Sequence, residues 1–261
     1  MLKPPLSDTD AEAMASFVEP YICSIQYIPK NDTRQPPGNH HGTGWLFDAD
    51  EEPCIVTCEH VARWQKHGHL GYSCFGDDNG ISIEGKFVEV FHPVDAAIAT
   101  VRNSYRMLPH NGQCVPRSLF ANSHAPVQGE LLYAYGFPGA DAKQLYETQI
   151  VQGTAVFLRQ VDLDAVVYKE VPPHPDPDRH ICLAWSPEHA LAMLGTSGSL
   201  SLPNGMSGSL LWNTRYEEIT RSGGKWSPAD ACITGMIWGH SAKASQLYAT
   251  PIEVLVHALG L

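Results

Sequence analysis

Three short stretches carry side chains able to do chemistry together: Thr57-Cys58-Glu59-His60, Pro93-Val94-Asp95-Ala96-Ala97-Ile98 and Gly205-Met206-Ser207-Gly208-Ser209. They supply an imidazole base, a carboxylate to orient it and a hydroxyl in a glycine-rich turn. A serine hydroxyl is a weak nucleophile at neutral pH, so acyl transfer to it needs that division of labour. His60 follows the apolar run Cys54-Ile55-Val56-Thr57, which puts the ring at a strand end, on a rim. Asp95 abuts the apolar run Ala96-Ala97-Ile98-Ala99, where an unpaired carboxylate is costly, and the ring N–H of a histidine removes the cost. The glycines around Ser207 permit a tight turn in which the N–H groups of Gly205 and Ser207 converge on a developing oxyanion. Each stretch also has an ordinary reading: an exposed histidine, a turn aspartate, a plain Gly/Ser loop such as 195–199.

The elements that must position these residues are mostly short strands. Residues 8–18 form a short helix with Ser7 as cap and Asp8, Asp10 and Glu12 at its positive end. Strands are expected at 21–28, 43–47, 54–57, 85–91, 96–102, 131–136, 149–158, 191–200, 209–212, 232–238 and 246–250. A polar loop covers 29–41, a helical turn 60–64, and an amphipathic helix opened by Pro251 closes the chain. The proline-rich piece 171–179 reads as an exposed insertion. Many short strands with one terminal helix fit an all-β fold of two Greek-key barrels.

The order His60, Asp95, Ser207, with separations of 35 and 112 residues, resembles that of the trypsin-like, chymotrypsin-fold serine peptidases, closest in style to bacterial enzymes without disulfides. Gly42-Thr43-Gly44-Trp45, Asp95-Ala96-Ala97-Ile98-Ala99, Ala134-Tyr135-Gly136-Phe137-Pro138-Gly139, Thr234-Gly235-Met236-Ile237-Trp238-Gly239 and Tyr248-Ala249-Thr250-Pro251-Ile252 extend the likeness over about 20–260. The resemblance implies one peptidase unit over 1–261, with a first barrel at about 20–125 and a second at about 126–261. It implies a serine endopeptidase: His60 as general base then acid, Asp95 fixing its tautomer, Ser207 forming the acyl-enzyme, and Gly205 and Ser207 as oxyanion hole. Ile237, Trp238 and Gly239 become the strand that pairs with substrate backbone. Ser201 takes the place of the trypsin specificity acid, which gives no support to a lysine or arginine preference, and His240 is a candidate pocket residue.

Two departures bear on regulation. Met206 replaces the aspartate that pairs with a new N-terminus in digestive zymogens, and no Ile-Val-Gly-Gly start is present, so activation by N-terminal cleavage is not expected. Either the site is preformed or a partner protein orders it. The alternative of a catalytically inactive peptide-binding or scaffold relative stays open, as does a cysteine- or metal-dependent hydrolase. No metal or cofactor is expected, because His40-His41 and His67-Gly68-His69 lack a second pair at zinc-type spacing.

The formal net charge of −11, without a basic run, argues against nucleic acid as partner. The thirteen histidines are expected to offset some of that charge at mildly acid pH. No apolar stretch approaches a membrane span, and the N-terminus lacks the apolar core of a secretory signal. Seven scattered cysteines read as reduced thiols, Cys54, Cys58 and Cys232 as buried ones, and the expected location is the cytoplasm.

Overall fold

A computed structural model describes residues 6–34, 38–77, 80–139, 142–145, 148–151, 153–186, 191–194 and 202–261. The chain opens with α1 (Asp8–Val18), whose first turn carries Asp8 and Asp10 and whose cap, Ser7, accepts the Asp10 N–H through its hydroxyl. Ala11, Met14, Ala15 and Val18 recur at helical spacing and form its buried stripe. Phe17 on this helix meets Trp212 edge-on at 5.8 Å.

The first sheet comprises β1 (Ile22–Pro29), β2 (Asn39–Ala49), β3 (Glu52–Thr57), β4 (Gly68–Cys74), β5 (Ile81–Ser82), β6 (Val88–Val90), β7 (Ala96–Thr100) and β8 (Cys114–Val115). Its order is β5-β4-β1-β2-β3-β7-β6, with β8 parallel beside β2 and all other pairs antiparallel. Short helices α2 (Glu59–Ala62) and α3 (Arg102–Met107) follow β3 and β7. The second half holds β9 (Leu132–Gly136), the hairpin β10 (Ala142–Leu145) and β11 (Thr148–Val151), β12 (Thr154–Leu158), β13 (Ile181–Ala184), β14 (Leu191–Leu194), β15 (Leu210–Asn213), helix α4 (Tyr216–Arg221), β16 (Cys232–Ser241), β17 (Gln246–Pro251) and helix α5 (Ile252–Leu259). Its main sheet runs β13-β17-β16-β15-β9-β12-β14. This is the expected all-β architecture of two successive antiparallel halves with a short helix at each end. No helix among the described residues is long and apolar enough to cross a membrane.

Period-two alternation explains how the second sheet is buried on both sides. Leu132, Ala134, Val156, Leu158, Ile181, Leu183, Leu247 and Ala249 face one cluster, while Tyr133, Tyr135, Phe157 and Trp212 join a larger core shared with α1 and the first sheet.

Several elements depart from expectation. The chain re-enters the sheet at Asn39, so His40 and His41 stand on β2 and not in a loop. Strand β4 stands where no strand is expected, its apolar residues being interrupted by glycine and histidine, and so does β13, which closely follows the proline-rich insertion. The strand expected at 96–102 ends at Thr100 and passes into α3, and the one at 149–158 is two strands. Of 191–200, only 191–194 lies within the described residues. All seven cysteines are free thiols; Cys232 is only half-buried, contrary to its reading as a core residue.

Candidate active site

His60 sits on α2, which starts directly after β3 with buried Cys58 as its cap. Asp95 grips it twice. Its Oδ2 lies 2.7 Å from the ring Nδ1, and its Oδ1 accepts the His60 backbone N–H at 3.1 Å. With a carboxylate at Nδ1 the ring proton belongs there, which leaves Nε2 as the acceptor. The Asp95 side chain is 7% exposed and that of His60 32%, so the pair is sealed on the acid side and open on the base side.

The turn bearing Asp95 is held from the second sheet. Asp95 adopts φ +49°, a left-handed conformation that an aspartate tolerates better than most residues. Thr250 on β17 donates its hydroxyl to the Val94 carbonyl at 2.8 Å, and His180 lies 2.6 Å from the Pro93 carbonyl through Nε2. Because His180 Nδ1 accepts the Asp176 N–H at 2.7 Å, its proton is on Nε2 and is donated to Pro93. Neither residue was a sequence candidate, since a side chain bonding a distant backbone carbonyl leaves no local signal.

The Ser207 turn is fixed by its glycines. Gly208 has φ +94°, and a Cβ there would strike the Thr43 carbonyl; Gly205 has φ +100°, and a Cβ would lie 2.6 Å from the Phe137 carbonyl oxygen. Thr43 on β2 is the hub. Its N–H donates to the Ser207 carbonyl (2.9 Å), its hydroxyl donates to the Gly205 carbonyl (2.8 Å) and accepts the Phe137 N–H (3.1 Å), and its own carbonyl accepts the Thr57 hydroxyl. Met206 is fully buried in the second-sheet cluster and anchors the turn from below. The N–H groups of Gly205 and Ser207 have no acceptor among the described residues, as an anion-binding pair requires.

The turn meets the histidine segment at one carbonyl. Ile237 accepts both the Gly208 N–H at 2.8 Å and the Cys58 thiol at 3.3 Å, which ties β16, the serine turn and the residue two before His60 together. The Ser207 hydroxyl donates to the Trp238 carbonyl at 3.3 Å, and no hydrogen bond joins it to His60 among the described residues.

Along β16 the expected substrate-pairing residues divide. Ile237 is buried and its backbone is fully used, the N–H by Ser209 and the carbonyl as above, so it supports the turn and has no group left for a substrate. Pairing with β15 stops at Met236, while β17 continues alongside Gly239, His240 and Ser241. Among the described residues, the β15-side edge of β16 is therefore unpaired from Trp238 onward. Trp238 packs its ring on His92, His180 and Tyr248 at 5.3, 5.0 and 5.7 Å. His240 is exposed on this strand, and Ser201 lies outside the described residues.

Cys58, His60 and Asp95 offer three ligand atoms within 4.8 Å of one another. Burial, reinforced by the Asp95 carboxylate, pushes the Cys58 thiol well up, so it is a protonated donor to Ile237, a poor nucleophile and a poor metal ligand. Burial also pulls His40 down to about 4, with the backbone of Phe137 acting the other way, and lowers His41, His124 and His180. His40 is therefore neutral at mildly acid pH, and the downward shift of the other three reduces their share of the charge offset expected of the histidines.

The sequence matches the trypsin-like peptidase domain family over residues 42–219. No individually curated protein matches it significantly. Among solved structures, the active form of the Rv3671c protease of Mycobacterium tuberculosis is similar with a TM-score of 0.55 at 16% identity, over 99% of this chain and 87% of that one. The inactive, serine-to-alanine form of the same protease gives 0.52 at 15%, over 100% and 96%. A serine-substituted HtrA-type protease, AlgW, with a tripeptide gives 0.54 at 11%, over 98% of this chain and 63% of that one. At these identities the likeness establishes the fold.

Proposed function

The chain belongs to the trypsin-like peptidase family, and from that premise we propose that it is a serine endopeptidase working through Ser207, His60 and Asp95. The observation that carries the reading is the double hold of Asp95 on His60, ring and backbone together. It leaves Nε2 free on the exposed side to take the Ser207 proton. The Ser207 hydroxyl exchanges its bond to the Trp238 carbonyl for one to Nε2 and attacks the scissile carbonyl carbon. The resulting oxyanion is met by the N–H groups of Gly205 and Ser207. His60, now protonated and stabilised by Asp95, gives its proton to the leaving amine; a water then hydrolyses the acyl-enzyme by the same route.

Substrate backbone pairs with the open edge of β16 from Trp238 to His240. The buried Met206 anchor supports a turn formed without a new N-terminus. Seven free thiols support a reducing compartment such as the cytoplasm.

Profiling against a proteome-derived peptide library tests the reading. The parent is expected to yield defined cleavage products and Ser207→Ala none, with a turnover loss on the order of 10⁴–10⁶. Equal cleavage by the variant overturns the assignment. The inactive-binder reading draws on one observation, the engagement of the Ser207 hydroxyl with Trp238 in place of His60. Peptide binding without any cleavage is the result that would favour it.

A further inference from the structure

Next to His60 the helical segment that follows β3 borders a cleft of roughly 580 Å³ lined by His60, Arg63, Trp64 and His67. Its aromatic floor is continuous: Trp64 meets Tyr27 at 5.0 Å, His41 at 5.4 Å and His67 at 5.8 Å between ring centroids. Trp64 is nevertheless 41% exposed, a large apolar ring presented to the cleft. Arg63 is more than half exposed at the rim. Its Nε reaches the His60 carbonyl at 3.4 Å and the Glu59 carboxylate only at 3.9 Å. The two terminal guanidinium nitrogens of Arg63 have no partner among the described residues. The neighbouring Lys66 is committed to Glu89 at 2.6 Å. Arg63 is thus an available fork of donors above an aromatic surface, in a chain whose net charge is −11.

The side of the catalytic pair on which this cleft lies decides its use. Trp238, His92 and His180 flank the pair on one side, where β16 takes the acyl half of a substrate under the function proposed above. The cleft lies on the other side, toward His41 and Gly42, the residues that lead into the Thr43 contact with Ser207. With the acyl half on β16 under that function, the leaving amine departs on this opposite side.

Resting on that function, we propose that the Arg63–Trp64 cleft is a subsite for a carboxylate on the leaving side of the scissile bond, carried by an aspartate or glutamate one or two residues beyond it. The carboxylate meets the free guanidinium nitrogens of Arg63 while the side-chain methylenes lie on Trp64. This makes Arg63 a specificity-determining residue and the enzyme selective for acidic leaving segments.

The test uses peptides identical except for glutamate, glutamine or lysine at those positions, each with a free or amidated C-terminus, and the parent, Arg63→Gln and Arg63→Glu proteins. The parent is expected to favour glutamate over lysine in kcat/KM by about fivefold, the scale of one partly exposed ion pair. Arg63→Gln is expected to flatten the preference and Arg63→Glu to invert it. A glutamate preference that persists in amidated peptides assigns the subsite to the side chain; faster cleavage of all three free peptides than of their amidated forms, lost in Arg63→Gln, assigns the same subsite to a chain-terminal carboxylate. A parent indifferent to charge, or a preference untouched in Arg63→Glu, overturns the proposal while leaving the peptidase reading intact. Binding is measured in parallel on Ser207→Ala by quenching of Trp64 fluorescence, with a Ser207→Ala/Trp64→Phe protein as blank. Tighter binding of the glutamate peptide there, with no cleavage by the parent, keeps the subsite and overturns the peptidase function.

Discussion

At Gly208 a side chain has nowhere to go, because the φ of +94° and the Thr43 carbonyl both exclude a Cβ. Gly208→Ala is expected to lose stability by at least roughly 1–3 kcal/mol, the cost of a non-glycine residue forced into such a conformation, and to lose activity with it. Urea melts beside peptide turnover check both. Asp95→Asn separates geometry from electrostatics. It keeps the shape but leaves the histidine ring in the wrong tautomer, and turnover is expected to fall about 10⁴-fold. The pairing of Asp95 with His60 and the glycine-bounded turn at Ser207 were legible in the sequence because these residues flank recognisable strands and glycines. Thr43, Thr250 and His180 were not: each acts on a backbone carbonyl brought near by the fold, and threonine and histidine have many ordinary uses.

The elements show the same division. Strands with strong alternation, such as β9, β15 and β17, were readable, whereas β4 and β13 were hidden by glycine, histidine and flanking prolines. Helix α4 depends on a residue that no pattern announced. Glu130 is 4% exposed, and its carboxylate accepts the N–H groups of Leu131, Glu217 and Glu218 and the Thr214 hydroxyl. It thereby closes the N-terminal end of α4 against the start of β9. Glu130→Ala leaves the three backbone N–H groups without this acceptor, while the Thr214 hydroxyl keeps the Leu131 carbonyl at 2.7 Å, and is expected to destabilise by about 1–3 kcal/mol, read from the midpoint of denaturant unfolding. An unchanged midpoint would mean that α4 does not depend on this carboxylate.

For the molecule as a whole, burial couples stability to pH through histidine. His40 is held near 4 in the folded protein against an ordinary 6.5, and His41, His124 and His180 shift the same way. Between those values the unfolded chain binds more protons than the folded one, so stability falls as pH drops below 6.5 and the loss levels off below about 4. His40 alone accounts for about 2 kcal/mol by pH 5, above the range where most carboxylates titrate. Urea unfolding at pH 7 and pH 5 measures it, and equal stability at both would contradict the buried neutral ring. The functional account makes a sharper demand, since it needs a base and an acid from the first sheet and an alcohol from the second to act as one. Treatment of the native protein with a fluorophosphonate, followed by mapping of the modified residue by mass spectrometry, tests that demand most directly. The account predicts one adduct, on Ser207, that disappears in His60→Ala and after unfolding; no adduct on the folded protein, or one on Ser207 that persists without His60, would contradict it.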